Sequence, residues 1–288
     1  ITEFAFEDVV VRDYEAAAAG CLPAILAAKA AIEAADVEDV ARAFNACSVD
    51  VLKPEKSSLF VYSLEGLPQQ DYPYSIGSLP GRPVTAMCQA LLRAQSDHAT
   101  LLQAAGAMTR TALGVPVGTC IPAQGVGGPG NTPGDGPGEG PWGWQSCTET
   151  LHAFSARTLR NYTFDLDASS SLCRRLYGAH AGPDTEAIAR RYGGYALADG
   201  SAGVTRLIWS HGALDPWHGW FRGVAAPPPA SEVHHVFMEG GAHHSDLRAP
   251  HPADPPDVLA ARRREEEIMR RWIVDASSAP GGVAETLV

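Results

Sequence analysis

The segment from Gly203 to Ala276 restricts the fold more than any other part of the chain. Two short runs, GVTRLIWS (Gly203–Ser210) and SEVHHVFMEG (Ser231–Gly240), are rich in β-branched and apolar residues and bounded by turn residues, so they read as strands. Gly212 to Ala230 lies between them, enough chain for the crossover that parallel neighbours require. The following PPDVLAARRREEEIMRRWIVDA reads as one long amphipathic helix starting near Pro256, with Val258, Leu259, Ile268, Trp272 and Ile273 as its apolar stripe. Strand, loop, strand, loop and closing helix form the end of a doubly wound α/β sheet. Functional loops in such sheets follow the carboxyl ends of the strands.

Each loop carries one residue with chemistry. The turn HGALDPW exposes Asp215, and the turn GGAHHSDLR, 28 residues further on, exposes His243. An acid after one strand and a histidine after the next are the last two places of the nucleophile–acid–histidine order of α/β-hydrolases. There the acid orients the imidazole and the imidazole takes the nucleophile's proton. Taken alone the pair is a moderate signal, since chance also places Asp and His on successive loops.

From Ala16 to about Gly194 the pattern is helical. CLPAILAAKAAIEAA, VEDVARAFNAC, RPVTAMCQALLRA and DHATLLQAAGAMTRTAL carry apolar residues three and four apart, with Pro83 at a tolerated first-turn position and Gly114 as a stop. Shorter helices fit Gln145–Phe154, Ser169–Tyr177 and Asp184–Tyr192. Ile121 to Pro141 is too rich in Gly and Pro for helix or strand, and reads as an exposed flexible loop, either a linker or the rim of a site.

A net charge of −11 argues against nucleic acid, whose phosphates such a surface repels, and suits an acidic compartment. No run is long and apolar enough to cross a bilayer, and the chain starts at Ile1 without a readable leader, so no membrane partner is expected. The six cysteines form no C-x-x-C pair; three disulfides in an oxidising compartment or six buried thiols both fit. Asn161-Tyr162-Thr163 is a glycosylation sequon and leans towards secretion. Seven of the ten histidines fall between His211 and His251, but without H-E-x-x-H or regular ligand spacing, so neither metal nor cofactor is expected.

Four motifs in order, DYPY (Asp71–Tyr74), WGWQSCTE (Trp142–Glu149), HGALDPW and GAHHSDLR, resemble the S28 serine peptidases, which include Pro-X carboxypeptidases and dipeptidyl peptidase II. The resemblance implies an α/β-hydrolase fold with an inserted helical cap, here residues 1–195, followed by the last strands and helix of the hydrolase domain, residues 196–288. It assigns Asp215 as triad acid and His243 as base, with His244 a structural neighbour. Arg248 would support the histidine loop, or else form a surface ion pair with Asp246 or Glu239. Trp217 would wall a proline pocket, or else be core. It also implies the disulfides Cys21–Cys88, Cys47–Cys120 and Cys147–Cys173.

The family's nucleophile lies in a G-G-S-Y-G-G turn upstream of the cap, and none is found here: Ser75 and Ser201 have a glycine on one side only. The chain is therefore expected to be the C-terminal portion of such a peptidase, silent on its own. A further family bridge of the carboxypeptidase branch would involve positions near Glu3 and Ser155, and neither is Cys, which leans the reading towards dipeptidyl peptidase II, as does HPADP (His251–Pro255). A free substrate amine would then need a carboxylate, with Asp135 and Glu139 as candidates against a reading as solvated loop charges. His211, Ser245, Trp220 and Phe221 depart from the family pattern, and the two aromatics would put bulk near the site. The expected activity is exopeptidase cleavage after proline or alanine, on a peptide with a penultimate proline, in a lysosome or vacuole or after secretion. A homodimer is open to such a chain. A Pro-X carboxypeptidase, an inactive binding fragment and, less well matched, an esterase are the alternatives.

Overall fold

The computed structural model describes residues 4–53, 55–95, 97–122, 140–149, 153–178, 186–221 and 223–278. Six helices, α1 (Ala5–Ala17), α2 (Cys21–Ala34), α3 (Val37–Phe44), α4 (Ser58–Gly66), α5 (Pro83–Ala94) and α6 (His98–Ala112), close around one apolar core. Tyr14, Ile25, Ile32, Phe44, Phe60, Leu64, Met87 and Leu91 are fully buried in it. Each side chain of this size contributes roughly 1.5–3 kcal/mol by leaving water. Pro83 opens α5 as expected, and the Asp97 carboxylate caps α6 by accepting the Thr100 N–H at 2.9 Å. Helices α3 and α6 touch at backbone level. A Cβ on Gly106 would stand 2.3 Å from the Ala43 carbonyl oxygen, so only glycine fits.

Helix α1 has an inward face that includes charge. Glu7 is 2% exposed beside Val9, Val10 and Tyr14. Its carboxylate accepts the backbone N–H groups of Arg157 (2.6 Å), Thr158 (3.0 Å) and Leu159 (2.7 Å), and so fastens that distant segment to the helix. Such multiple donation to an ionised acceptor satisfies a charge that burial would otherwise penalise.

Three disulfides join Cys21 to Cys88, Cys47 to Cys120 and Cys147 to Cys173, with Cα–Cα distances of 5.1, 5.0 and 5.5 Å, inside the range a bridge permits. The first ties α2 to α5. The second lies beside a bridge between Ala46 and Ile121, so Ile121 is buried rather than part of an exposed loop. The third ties α7 (Gly140–Thr148) to α8 (Leu166–Tyr177). Helix α7 starts five residues before the expected Gln145 and stops at Thr148, because a proline such as Pro141 is tolerated in a first turn. Short helices α9 (Ala187–Tyr192) and α10 (Tyr195–Ala198) lead to the strands.

Strands β1 (Leu207–Gly212) and β2 (Val233–Met238) pair in parallel, Leu207 opposite Val233 and Gly212 opposite Met238. β1 begins at Leu207 and not Gly203, since Arg206 adopts a positive φ of 62° that breaks the extended run. His234 and His235 face opposite ways: His235 Nε2 lies 2.7 Å from the Ala198 carbonyl oxygen, and the His234 ring lies against Trp272. Helix α11 (Pro256–Ser278) covers β2. Val258, Ala261 and Ile268 are its buried apolar positions, whereas Leu259 and Ile273 are exposed, which narrows the expected stripe. The molecule is thus helix-rich with a small parallel sheet. No single helix among the described residues is long and apolar enough to cross a membrane.

Candidate active site

The turns after β1 and β2 are sewn together by their backbones. Ala213 N–H donates to the Met238 carbonyl at 2.8 Å and Leu214 N–H to the Gly241 carbonyl at 3.0 Å. Gly212 permits this approach, because a Cβ there would lie 2.3 Å from the Gly241 carbonyl oxygen. The small residues that precede Asp215 and His243 are therefore what lets the two loops meet.

Asp215 is buried and its carboxylate is fully engaged. Oδ1 accepts the Trp217 N–H at 3.1 Å and Oδ2 lies 2.8 Å from His243 Nδ1. The imidazole is half-buried, and the backbone of His243 is held by residues from the helical part. His243 N–H donates to the Gln69 carbonyl at 3.0 Å, and the Tyr72 hydroxyl donates to the His243 carbonyl. His244 takes a left-handed φ of 56° and turns its ring onto that of His243 at 3.5 Å; partial desolvation, and then His243, lower its pKa. With Nδ1–H bonded to a carboxylate, Nε2 is the basic nitrogen, and the pair can accept and return one proton.

Asp13 stands near Asp215, and Asp71 stands near Asp13. Asp13 on α1 is buried, and burial pushes its pKa up to about 7 against the pull of Arg12, with Asp71 and Asp215 adding to the rise. Asp71 is raised by burial too, against its bonds to Val84 N–H and Arg82. Below about pH 7 a protonated Asp13 places no second ionised carboxylate beside Asp215. Arg12 reaches across to the turn and donates to the Ala213 carbonyl at 2.5 Å.

Arg248 lies with its guanidinium carbon 4.4 Å from the ring centroid of Tyr72, whose hydroxyl donates to the His243 carbonyl. Trp217 donates its Nε1–H to Gln69 Oε1 at 2.8 Å, and its ring packs edge-on against Phe6 (5.5 Å) and Phe154 (5.3 Å). Asp135 and Glu139 fall outside the described residues. Asn161 is exposed, next to the bridge between Ala156 and Tyr162.

The departures from the expected pattern have local explanations. Ser245 is buried, and its hydroxyl accepts the Ala242 N–H at 2.9 Å, a bond a leucine could not make. Trp220 and Phe221 turn onto β1: Phe221 lies 4.1 Å from the His211 ring and Trp220 5.9 Å from Trp209. His211 is thereby desolvated, which with His218 and His235 lowers its pKa to about 4. Gln69, Arg12 and the role of Tyr72 were not legible as site features. Tyr72 lay inside DYPY, but neither spacing nor residue type tells that its hydroxyl reaches a carbonyl 171 positions away.

The chain matches the serine carboxypeptidase S28 family over residues 2–265. It belongs to that family. S28 members are serine peptidases, hence hydrolases. Lysosomal Pro-X carboxypeptidase of Homo sapiens is 28% identical over 223 residues, 73% of this chain and 41% of that protein. The Mus musculus protein of the same name is 31% identical over 138 residues, 46% of this chain and 26% of its own length. Prolyl carboxy peptidase like protein 5 of Caenorhabditis elegans is 27% identical over 130 residues, covering 45% and 22%. The chain spans about two-fifths of the length of the human relative.

Proposed function

We propose that Asp215 and His243 are the acid and the base of a serine-type exopeptidase that cleaves next to proline, with the nucleophilic serine supplied by a part of the protein outside these 288 residues. The observation that carries the reading is the 2.8 Å contact between Asp215 Oδ2 and His243 Nδ1 on loops at the carboxyl ends of two parallel strands. In the reaction, the serine hydroxyl adds to the scissile carbonyl as His243 Nε2 takes its proton. The same proton then passes to the leaving amine, and water repeats the sequence on the acyl-enzyme. Asp215 fixes the tautomer and stabilises the imidazolium. The helical residues 1–195 serve as the cap and residues 196–288 as the end of the hydrolase domain. Trp217 offers a flat apolar face for a pyrrolidine ring.

The end of the peptide that is cut is the open part. The names of the relatives favour removal of a residue after proline at the carboxyl end. Ser155 favours the amino end: where the carboxypeptidase branch would have a cysteine, a buried hydroxyl accepts the Phe164 N–H at 2.9 Å. Three disulfides and carboxyls whose pKa burial raises to about 7 support an acidic, oxidising compartment, lysosomal, vacuolar or extracellular. The test uses the complete gene product and two proline peptides, one with a free amino end and one with a free carboxyl end. One should be hydrolysed, and Asp215→Asn should lower kcat by about 10⁴-fold. Full activity in that variant, or a complete protein inert to fluorophosphonate, overturns the proposal.

A further inference from the structure

The loop that carries His243 is gripped from the helical part at His243 itself, but its following residues hang on α11. Arg262, the seventh residue of that helix, spends all three guanidinium nitrogens on the loop. Nη2–H donates to the Ser245 carbonyl at 2.6 Å, Nε–H to the Asp246 carbonyl at 3.0 Å, and Nη1–H to Asp254 Oδ2 at 2.7 Å. The guanidinium thus joins the loop two residues after the histidine to its far end, just before α11 starts. Both partners of the ion pair are largely buried, with side chains 17% and 3% exposed. A single planar fork with fixed donor directions sets the relative position of three acceptors, which a flexible ammonium cannot do.

The neighbouring bonds make this clamp consequential for the imidazole. Ser245, whose carbonyl Arg262 holds, uses its hydroxyl to accept the Ala242 N–H, so the backbone on either side of His243 is one closed unit. Asp246 is held on two sides, its carbonyl by Arg262 and its carboxylate by the Ser210 hydroxyl of β1 at 2.6 Å. Asp257, five residues before Arg262, accepts the Gly240 N–H at 2.6 Å at the loop's entry. We infer that Arg262 is a positioning residue for His243: it fixes the loop so that Nδ1 stays on Asp215, and it does so without touching either member of the pair. This inference rests on the proposed role of Asp215 and His243.

The experiment has two readouts, both in the complete gene product. In the ¹⁵N-histidine-labelled protein, the carboxylate-bonded Nδ1–H of His243 should give a low-field proton resonance. Arg262→Met should lose that resonance to exchange, with the helical circular dichroism retained. Asp254→Asn should lower the melting temperature yet keep the resonance, because both carbonyl bonds of Arg262 survive. In the complete enzyme, Arg262→Met should lower kcat by about tenfold or more with KM little changed, as misplacement of a reacting group does. If Arg262→Met fails to fold, Arg262→Lys decides, and it should keep the resonance only in part and lose kcat. A wild-type chain without the resonance, a resonance that merely follows the melting temperature across all variants, or a lysine variant equal to wild type on both readouts overturns the inference. An enzyme inert to proline peptides whose chain still shows the arginine-dependent resonance overturns the functional reading and leaves the positioning role standing.

Discussion

Helices α1–α6 close around large side chains such as Tyr14, Phe44, Phe60 and Met87, two disulfides and a glycine contact between backbones. The β1–β2–α11 unit is built differently. Its core among the described residues is Val236, Met238, Val258 and Ala261, with Ile208 against them, and its loops are held by hydrogen bonds and ion pairs. The candidate site belongs to the second unit, yet Gln69, Tyr72 and Arg12 of the first hold its backbone. Packing therefore governs whether the helical part folds, and polar contacts govern where Asp215 and His243 stand. Substitutions in the two parts should separate stability from activity.

The largest effect is expected at Gly106. A methyl group there meets the Ala43 carbonyl at 2.3 Å, and overpacking of this kind costs up to about 3 kcal/mol. Gly106→Ala should lower the denaturant midpoint strongly, and a midpoint near wild type would show that the helical part yields more than its packing implies. Gly212→Ala makes the corresponding contact between the two site loops. Two strands with a small core can shift, so the midpoint should change little, while kcat of the complete enzyme should fall by about 100-fold through displacement of Asp215 from His243. An equal loss of stability at both glycines would dissolve the contrast between the units.

A smaller difference is expected with pH. Burial raises Glu265 to about 7, as it does Glu65 and Asp13. A carboxyl whose folded pKa lies above its unfolded value of 4.5 contributes stability that is complete below that value and lost as pH rises through about 7. The protein should melt highest in acid. Glu265→Gln should leave the melting temperature unchanged near the acid end and raise it by a few degrees at pH 8; a pH-independent gain would mean that the carboxyl is not the titrating group. The smallest change is expected for Tyr72→Phe, which removes one hydrogen bond to the His243 carbonyl, worth about 1 kcal/mol. Kcat should drop by about fivefold while the melting temperature falls by only a few degrees, less than for Gly106→Ala, placing the effect mainly in the site and not in the helical packing.

The sequence was informative where one residue type had one reason to be present. Asp215, His243 and the six cysteines were legible because turns and motifs fix their places, and Pro83 and Gly114 marked a helix start and a helix end as local chemistry requires. Helix α1 was missed because its buried face includes Glu7 and Asp13, which interrupt the apolar period that betrays a helix. Helix α4 is apolar on several sides, so its period carries no direction. The grip of Gln69 and Tyr72 on the histidine turn depends on backbone acceptors, and those leave no trace in side-chain identity.

The bridges of α1–α6 overlap along the chain: Cys47 falls inside the span of Cys21–Cys88, and Cys88 falls inside the span of Cys47–Cys120. A protease that nicks the backbone once between Cys21 and Cys120 therefore releases no fragment. A cut between Cys47 and Cys88 leaves the pieces joined by both bridges, and a cut nearer either end leaves them joined by one. Wherever proteases are present, this turns a first cleavage into a scar rather than a loss, since the severed ends remain held against the core they left.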